Sequence, residues 1–186
     1  MTRARDVADL ITGISTLKTT NIQHPSAASP AIELTAAGGL WLGGGKILQI
    51  VRATDSTDRT TTSASLSDAG ISVTITPKKS DSTVILISNA RAYTNRGTSG
   101  DARFQLSITD SSNNGISGGE AAIFGILAGS PTNLIFYNPV LVAYATPATT
   151  SAVTYKTRFA VTNTSNTLIL QNSVQAGQMY AIEVAA

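Results

Sequence analysis

The stretch Ala102-Arg103-Phe104-Gln105-Leu106-Ser107-Ile108-Thr109 alternates strictly between apolar and polar side chains. Successive side chains of a strand point to opposite faces, so this period of two predicts a half-buried β-strand. The pattern recurs outward in both directions. Ile71, Val73 and Ile75 alternate with Ser72, Thr74 and Thr76. Val153, Tyr155, Phe159 and Val161 fall on one predicted face, and Thr154, Lys156, Arg158 and Thr162 on the other. Tyr180, Ile182 and Val184 alternate with Ala181, Glu183 and Ala185, and the bulky set is expected to face the core. Ile47–Val51, Val84–Ile87 and Leu134–Tyr137 are largely continuous apolar runs, which predict more deeply buried strands. Turn-forming residues separate the runs at Pro77–Asp81, Thr98–Asp101, Asp110–Gly115, Pro147–Ser151 and Asn163–Asn166. Glu120–Leu127 suits a helix or a strand equally. About eight to ten short strands without intervening helical periodicity are the pattern of a sandwich or jelly roll.

The alternation begins at Lys46, and upstream of it the pattern changes. Val7, Leu10, Ile14 and Leu17 recur at steps of three, four and three. This heptad seam puts Val7 and Ile14 at a and Leu10 and Leu17 at d, predicting a helix over 3–18. Asp6 and Asp9 near its start and Lys18 near its end suit the helix dipole. Gly13 costs such a helix about 1 kcal/mol relative to Ala. A helix this short is marginal alone in water, so residues 1–20 are expected to be an anchor or oligomerisation stem. The alternative is an amphipathic helix packed on its own domain. Residues 21–45 read as an extended connector with Pro25 and Pro30, and Ala31–Thr35 is a candidate strand within it. Trp41 stands between Gly38-Gly39 and Gly43-Gly44-Gly45. It either plugs the joint between stem and domain or anchors a flexible linker. The expected organisation is therefore a mainly β chain: helical stem 1–20, connector 21–45, and a jelly-roll-like β-sandwich over 46–186.

The chain has 186 residues, 42% hydrophobic and 13% charged, with enough apolar material for a core and too little charge for a disordered chain. The formal charge of +2 comes from 13 basic against 11 acidic residues, and no basic cluster exceeds Lys78-Lys79. A nucleic-acid partner is therefore not expected. No apolar run approaches the about 20 residues of a membrane helix, and Asp6 and Asp9 interrupt any signal-peptide core, so synthesis in a cytoplasm is expected.

Catalytic patterns fail one by one. His24 is the single histidine and precedes Pro25 in the connector, a poor place for the base of a triad. One histidine and no cysteine make a zinc site improbable. Gly39–Lys46 departs from the phosphate-loop pattern at Leu40 and Ile47. Asp55 and Asp58 lack the spaced ligand set of a calcium loop and are read as solvated loop carboxylates. No catalytic residue, metal or cofactor is expected.

Met1-Thr2-Arg3-Ala4-Arg5-Asp6-Val7-Ala8-Asp9-Leu10-Ile11, followed by Ile22-Gln23-His24-Pro25-Ser26, resembles the opening of fibre and appendage proteins of tailed bacteriophages, especially those of marine bacteria. Ile47–Val51, Ile71–Pro77, Thr149–Lys156 and Ile182–Ala185 resemble a β-sandwich module of such virion proteins. The resemblance spans nearly the whole chain. It implies a homotrimer on the virion exterior, attached to other virion proteins and without catalytic residues. The seam itself departs from this, since β-branched residues at a with Leu at d favour parallel dimers. Val7, Leu10, Ile14, Leu17 and Trp41 are the expected oligomerisation or attachment residues. A tail-fibre subunit, a head decoration protein and a carbohydrate-binding module compete as functions. Aromatics make up only 5%, which weakens the third, although Tyr93 and Tyr144 remain candidate surface contacts for a host glycan or protein.

Overall fold

The structure, a computed structural model, describes residues 47–97, 100–119, 122–126 and 134–186, together with 21–22, 32–34 and 40–42 as backbone. The chain divides into two compact units, Met1–Lys46 and Ile47–Ala186. The predicted stem helix with Val7, Leu10, Ile14 and Leu17 lies outside the described residues. Within the connector the backbone forms β1 (Asn21–Ile22), β2 (Ile32–Leu34) and β3 (Leu40–Leu42). These make an antiparallel sheet with β2 in the middle, where the sequence suggested one candidate strand. Trp41 lies in β3 opposite Glu33.

The second unit is mainly β, and among its described residues no helix occurs. Its strands are β4 (Ile47–Asp55), β5 (Arg59–Thr61), β6 (Ser67–Ile75), β7 (Thr83–Asn89), β8 (Ala92–Asn95) and β9 (Ala102–Asp110). They continue with β10 (Ala122–Ile126), β11 (Leu134–Tyr137), β12 (Val140–Ala145), β13 (Val153–Val161), β14 (Thr167–Leu170) and β15 (Gly177–Val184). The ambiguous segment at 120–127 thus contains strand β10. All pairings are antiparallel, in the orders β10-β9-β13-β6, β12-β7-β15-β4 and β11-β8-β14-β5.

The last two sheets are one layer interrupted along a line. The strands of one continue into the equivalent strands of the other: β4 into β5, β7 into β8 and β11 into β12 across two or three residues, and β14 into β15 across the turn at residues 171–176. Pro139 marks the break on the β11/β12 edge, where a residue without an N–H is tolerated. Its carbonyl accepts from Asn89 Nδ2 at 3.0 Å. With these pairs counted as single strands the unit has eight. The first pairs with the eighth, the second with the seventh, the third with the sixth and the fourth with the fifth. The unit is therefore one long antiparallel ribbon with its tip between β9 and β10, folded so that successive strands switch layers at every step except the tip, where β9 and β10 share one.

The layers enclose one apolar core. Ile71, Val73, Ile75, Phe104, Leu106, Ile108, Tyr155, Phe159 and Val161 come from one; Val84, Leu86, Leu141, Ala143, Leu168, Leu170, Met179 and Ala181 come from the other. Each fully buried Ile, Leu or Phe contributes about 1.5–3 kcal/mol. Phe104 meets Tyr137 edge-on across the layers, centroids 5.4 Å apart. One polar bridge crosses the core: the Ser88 and Thr157 hydroxyls lie 2.7 Å apart, and Thr157 also faces the Met179 sulfur at 3.9 Å. Thr157→Val is expected to cost about 1–3 kcal/mol, because Ser88 loses its partner in the dry interior. Adding Ser88→Ala should recover part of that loss, which urea unfolding of the four variants would measure as a coupling energy.

Candidate interaction surface

The two layers differ in what they turn outward. On the β10-β9-β13-β6 layer the outward residues are Asp68, Ser72 and Thr74 of β6, Arg103 and Gln105 of β9, and Thr154, Lys156 and Arg158 of β13. Thr74 and Thr154 share a hydroxyl–hydroxyl hydrogen bond at 2.8 Å. This is the polar face that strict alternation predicts for a solvated sheet.

The opposite layer turns apolar side chains outward. Register aligns Val142, Ile87, Tyr180 and Arg52 in one row across β12, β7, β15 and β4. Tyr144, Ile85, Ile182 and Ile50 form the next. Ile50, Val142 and Tyr144 are 57%, 54% and 56% exposed. Beyond the break the surface continues through exposed Leu134 and Phe136 to Tyr93, whose ring is 5.3 Å from that of Phe136. The cations nearby lie over rings: Arg91 is 5.0 Å from the Phe136 centroid and Arg52 is 5.8 Å from that of Tyr180.

Two expectations need correction here. The continuous runs at Ile47–Val51, Val84–Ile87 and Leu134–Tyr137 are covered on one side only; Ile47 is 60% exposed and Phe136 50%. Apart from Gln49, they are apolar because both faces of this layer are apolar. Tyr180, Ile182 and Val184 also point outward, while Met179, Ala181, Glu183 and Ala185 are buried. The set Ile85, Ile87, Val140, Val142, Ile182 and Val184 was thus missed as a surface. The available signal was that the runs are apolar at odd and even positions alike.

Two carboxylates are structural. Glu183 is fully buried, and its Oε1 accepts from Ser82 Oγ at 2.6 Å and from the backbone N–H groups of Lys78 at 2.7 Å and Lys79 at 3.2 Å. Its Oε2 accepts from Gln49 Nε2 at 2.6 Å. Burial raises its pKa, but the donors from Ser82, Gln49, Lys78 and Lys79 together outweigh burial and hold it below the usual value. Asp55 is not the solvated carboxylate expected from sequence: it is 9% exposed and pairs with Arg59 Nε at 2.8 Å. The Arg59 hydrogen bond lowers its pKa most, and Asn172 Nδ2 donates to it at 3.1 Å. Asp58 is exposed and accepts from the Ser173 N–H at 2.8 Å.

At the ribbon tip, Asp110 accepts from the Asn114 N–H and side-chain amide at 2.9 and 2.8 Å, which lowers its pKa. Asn113, in the left-handed region at φ 71°, makes the turn. Beside it runs an open groove of about 510 Å³ lined by Asp110, Ser117, Tyr144, Pro147, Thr154 and Tyr155. One carboxylate with hydroxyls and the exposed Tyr144 ring offers hydrogen bonding and stacking, and among the described residues the lining holds no second carboxylate, histidine or lysine to pair with Asp110. Among the described residues no group of three His, Cys, Asp or Glu could hold a metal ion.

No protein-family model matches the chain, and no curated protein matches it. Among solved structures it is similar to that of the infectious bursal disease virus Gx strain, at 16% identity and TM-score 0.25. It is also similar to the VP2 subviral particle of infectious bursal disease virus, at 12% identity and TM-score 0.27. Each match covers 84% of this chain and 44% of the other, so the chain spans less than half the length of either. What stands established is a mainly β protein of antiparallel sheets, one of whose layers turns an apolar face outward.

Proposed function

We propose that the chain is a non-enzymatic structural subunit of a bacteriophage virion, in a tail fibre or short fibre, anchored by residues 1–45 and displaying 46–186. The observation that carries this reading is the uncovered apolar face. A monomer in water gains nothing from exposing Ile50, Val142 and Phe136 together, whereas an assembly subunit buries them. The ribbon order, first strand with eighth through fourth with fifth, supports a jelly roll, an architecture of viral capsid and lectin domains. The resemblance of residues 1–26 to fibre and appendage proteins supports the stem as attachment element, with Val7, Leu10, Ile14 and Leu17 holding a homotrimer. Host contact, by glycan or protein, falls to the outward surfaces of the sandwich. The groove with exposed Tyr144 beside Asp110 favours a second reading, a carbohydrate-binding module.

Immunogold labelling of purified particles tests the proposal. Label at the tail is the expected result. Label over the head would move the chain to the decoration class. Absence of both label and chain from particles would overturn the virion reading.

A further inference from the structure

We propose that a second copy of this chain covers the outward face of the β12-β7-β15-β4 and β11-β8-β14-β5 layer. This rests on the assembly reading above and names the partner of that surface.

Size comes first. Four strands spaced about 4.8 Å apart and about ten residues long give a face of roughly 19 by 33 Å. That is about 600 Å² in plan, before the relief of side chains is added. The largest apolar patch on an ordinary monomer is about 300–600 Å², and a stable interface takes about 800 Å² from each partner. In plan the face matches the upper end of the first range and reaches about three-quarters of the second, with the side-chain relief still to be added.

Charge comes second. The outward residues of β7, β12 and β15 include no carboxylate and no cation: they are Thr83, Ile85, Ile87 and Asn89; Val140, Val142 and Tyr144; Gln178, Tyr180, Ile182 and Val184. Arg52 stands on the edge strand β4, and Arg91 in the break between β7 and β8; each is already paired with a ring. A strongly charged partner would find no complementary group across the centre. The same face on another copy is complementary without one, because apolar rows meet apolar rows, Arg52 stands at the edge and Arg91, on the break line, lies over the Phe136 ring.

Shape comes third. Sheet faces pack on one another about 10 Å apart with strands roughly aligned, and identical faces satisfy this about a two-fold axis, which would join a sandwich of one stem trimer to a sandwich of the next.

The chain has no cysteine, so an introduced one reports its neighbour directly. Full-length protein carrying Val142→Cys or Ile182→Cys is oxidised and run on a non-reducing gel, with Ser72→Cys on the polar layer as control. The first two are expected to give covalent dimers, and the control is not. In parallel, the pair Ile50→Glu and Val142→Glu should weaken self-association by about 100-fold or more, since carboxylates would enter a dry contact. Light scattering reads that loss, and an unchanged cooperative melt shows that the fold persists, both side chains being more than half exposed. Equal crosslinking at Ser72, or an unchanged mass for the glutamate pair with no dimer band at Val142 and Ile182, would overturn the inference. Particle labelling and crosslinking fail independently. A virion protein without face crosslinks loses only this inference, and a crosslinked dimer absent from particles loses only the virion reading.

Discussion

Glu183→Ala should lower the stability of the second unit by about 3 kcal/mol, because several neutral donors lose one shared acceptor and each buried donor left unmatched costs about 1–3 kcal/mol. The carboxylate ties β15 to the segment between β6 and β7 and to Gln49 of the edge strand β4. Without it, two backbone N–H groups, one hydroxyl and one amide lose their acceptor, the Ser82 hydroxyl in a buried place. Glu183→Gln preserves the volume but puts donors where acceptors are needed, so a smaller loss is expected. The pH dependence follows from the direction of the shift. The folded-state pKa lies below the usual glutamate value, so the carboxylate's contribution is complete above that usual value. It is lost as pH falls through the lower, folded value. Urea unfolding at pH 7 and pH 3 should show the wild type losing this part of its stability and Glu183→Ala losing none of it. Equal acid sensitivity of both proteins would show that Glu183 does not couple folding to pH.

Phe104→Ala should cost about 3–5 kcal/mol, the usual range for emptying a fully buried aromatic site. Phe104 has no exposed surface and sits in the central strand β9, with its ring edge-on to Tyr137 of the other layer. Adjacent strands hold the backbone by ladders on both sides, so the cavity can collapse little. Phe104→Leu, which leaves a smaller void, should cost noticeably less. Thermal melts of the three proteins measure the series, and a Phe104→Ala melt within a degree or two of wild type would mean the layers are not packed through this ring.

How far the sequence could be read depended on the face each strand turns to water. β6, β9 and β13 were legible because their outward residues are polar, so period two and burial agree. β15 was legible as a strand but not in its sense. Alternation separates Tyr180, Ile182 and Val184 from Ala181, Glu183 and Ala185 without saying which set is inside. Bulk suggested the first, yet β15 faces β6, where Ile71 already fills the space, and the inward set of β15 includes the small Gly177, Ala181 and Ala185. A Cβ added at Gly177 would lie 2.5 Å from Ile71 Cδ1, which shows how little space remains there. Glu183 escaped notice for the same reason: a glutamate in an alternating strand reads as solvated, and its donors come from residues about 100 or more positions away. The layer order was equally hidden, because no local pattern reports that the first strand pairs with the last. The predicted stem residues lie outside the described structure, as does the side chain of Trp41.

The pairing of Val184 with Ile47 has a topological consequence. The backbone enters and leaves the second unit at neighbouring points, while the ribbon tip at Ser111–Asn114 is a surface turn between strands. The unit is therefore suited to circular permutation. A short bridge could join its present ends, and new ends could open at the tip without cutting a ladder. The ribbon would then be held closed at the end where it is now open, and anything fused to the new ends would project from the tip instead of from the end where Ile47 and Val184 pair.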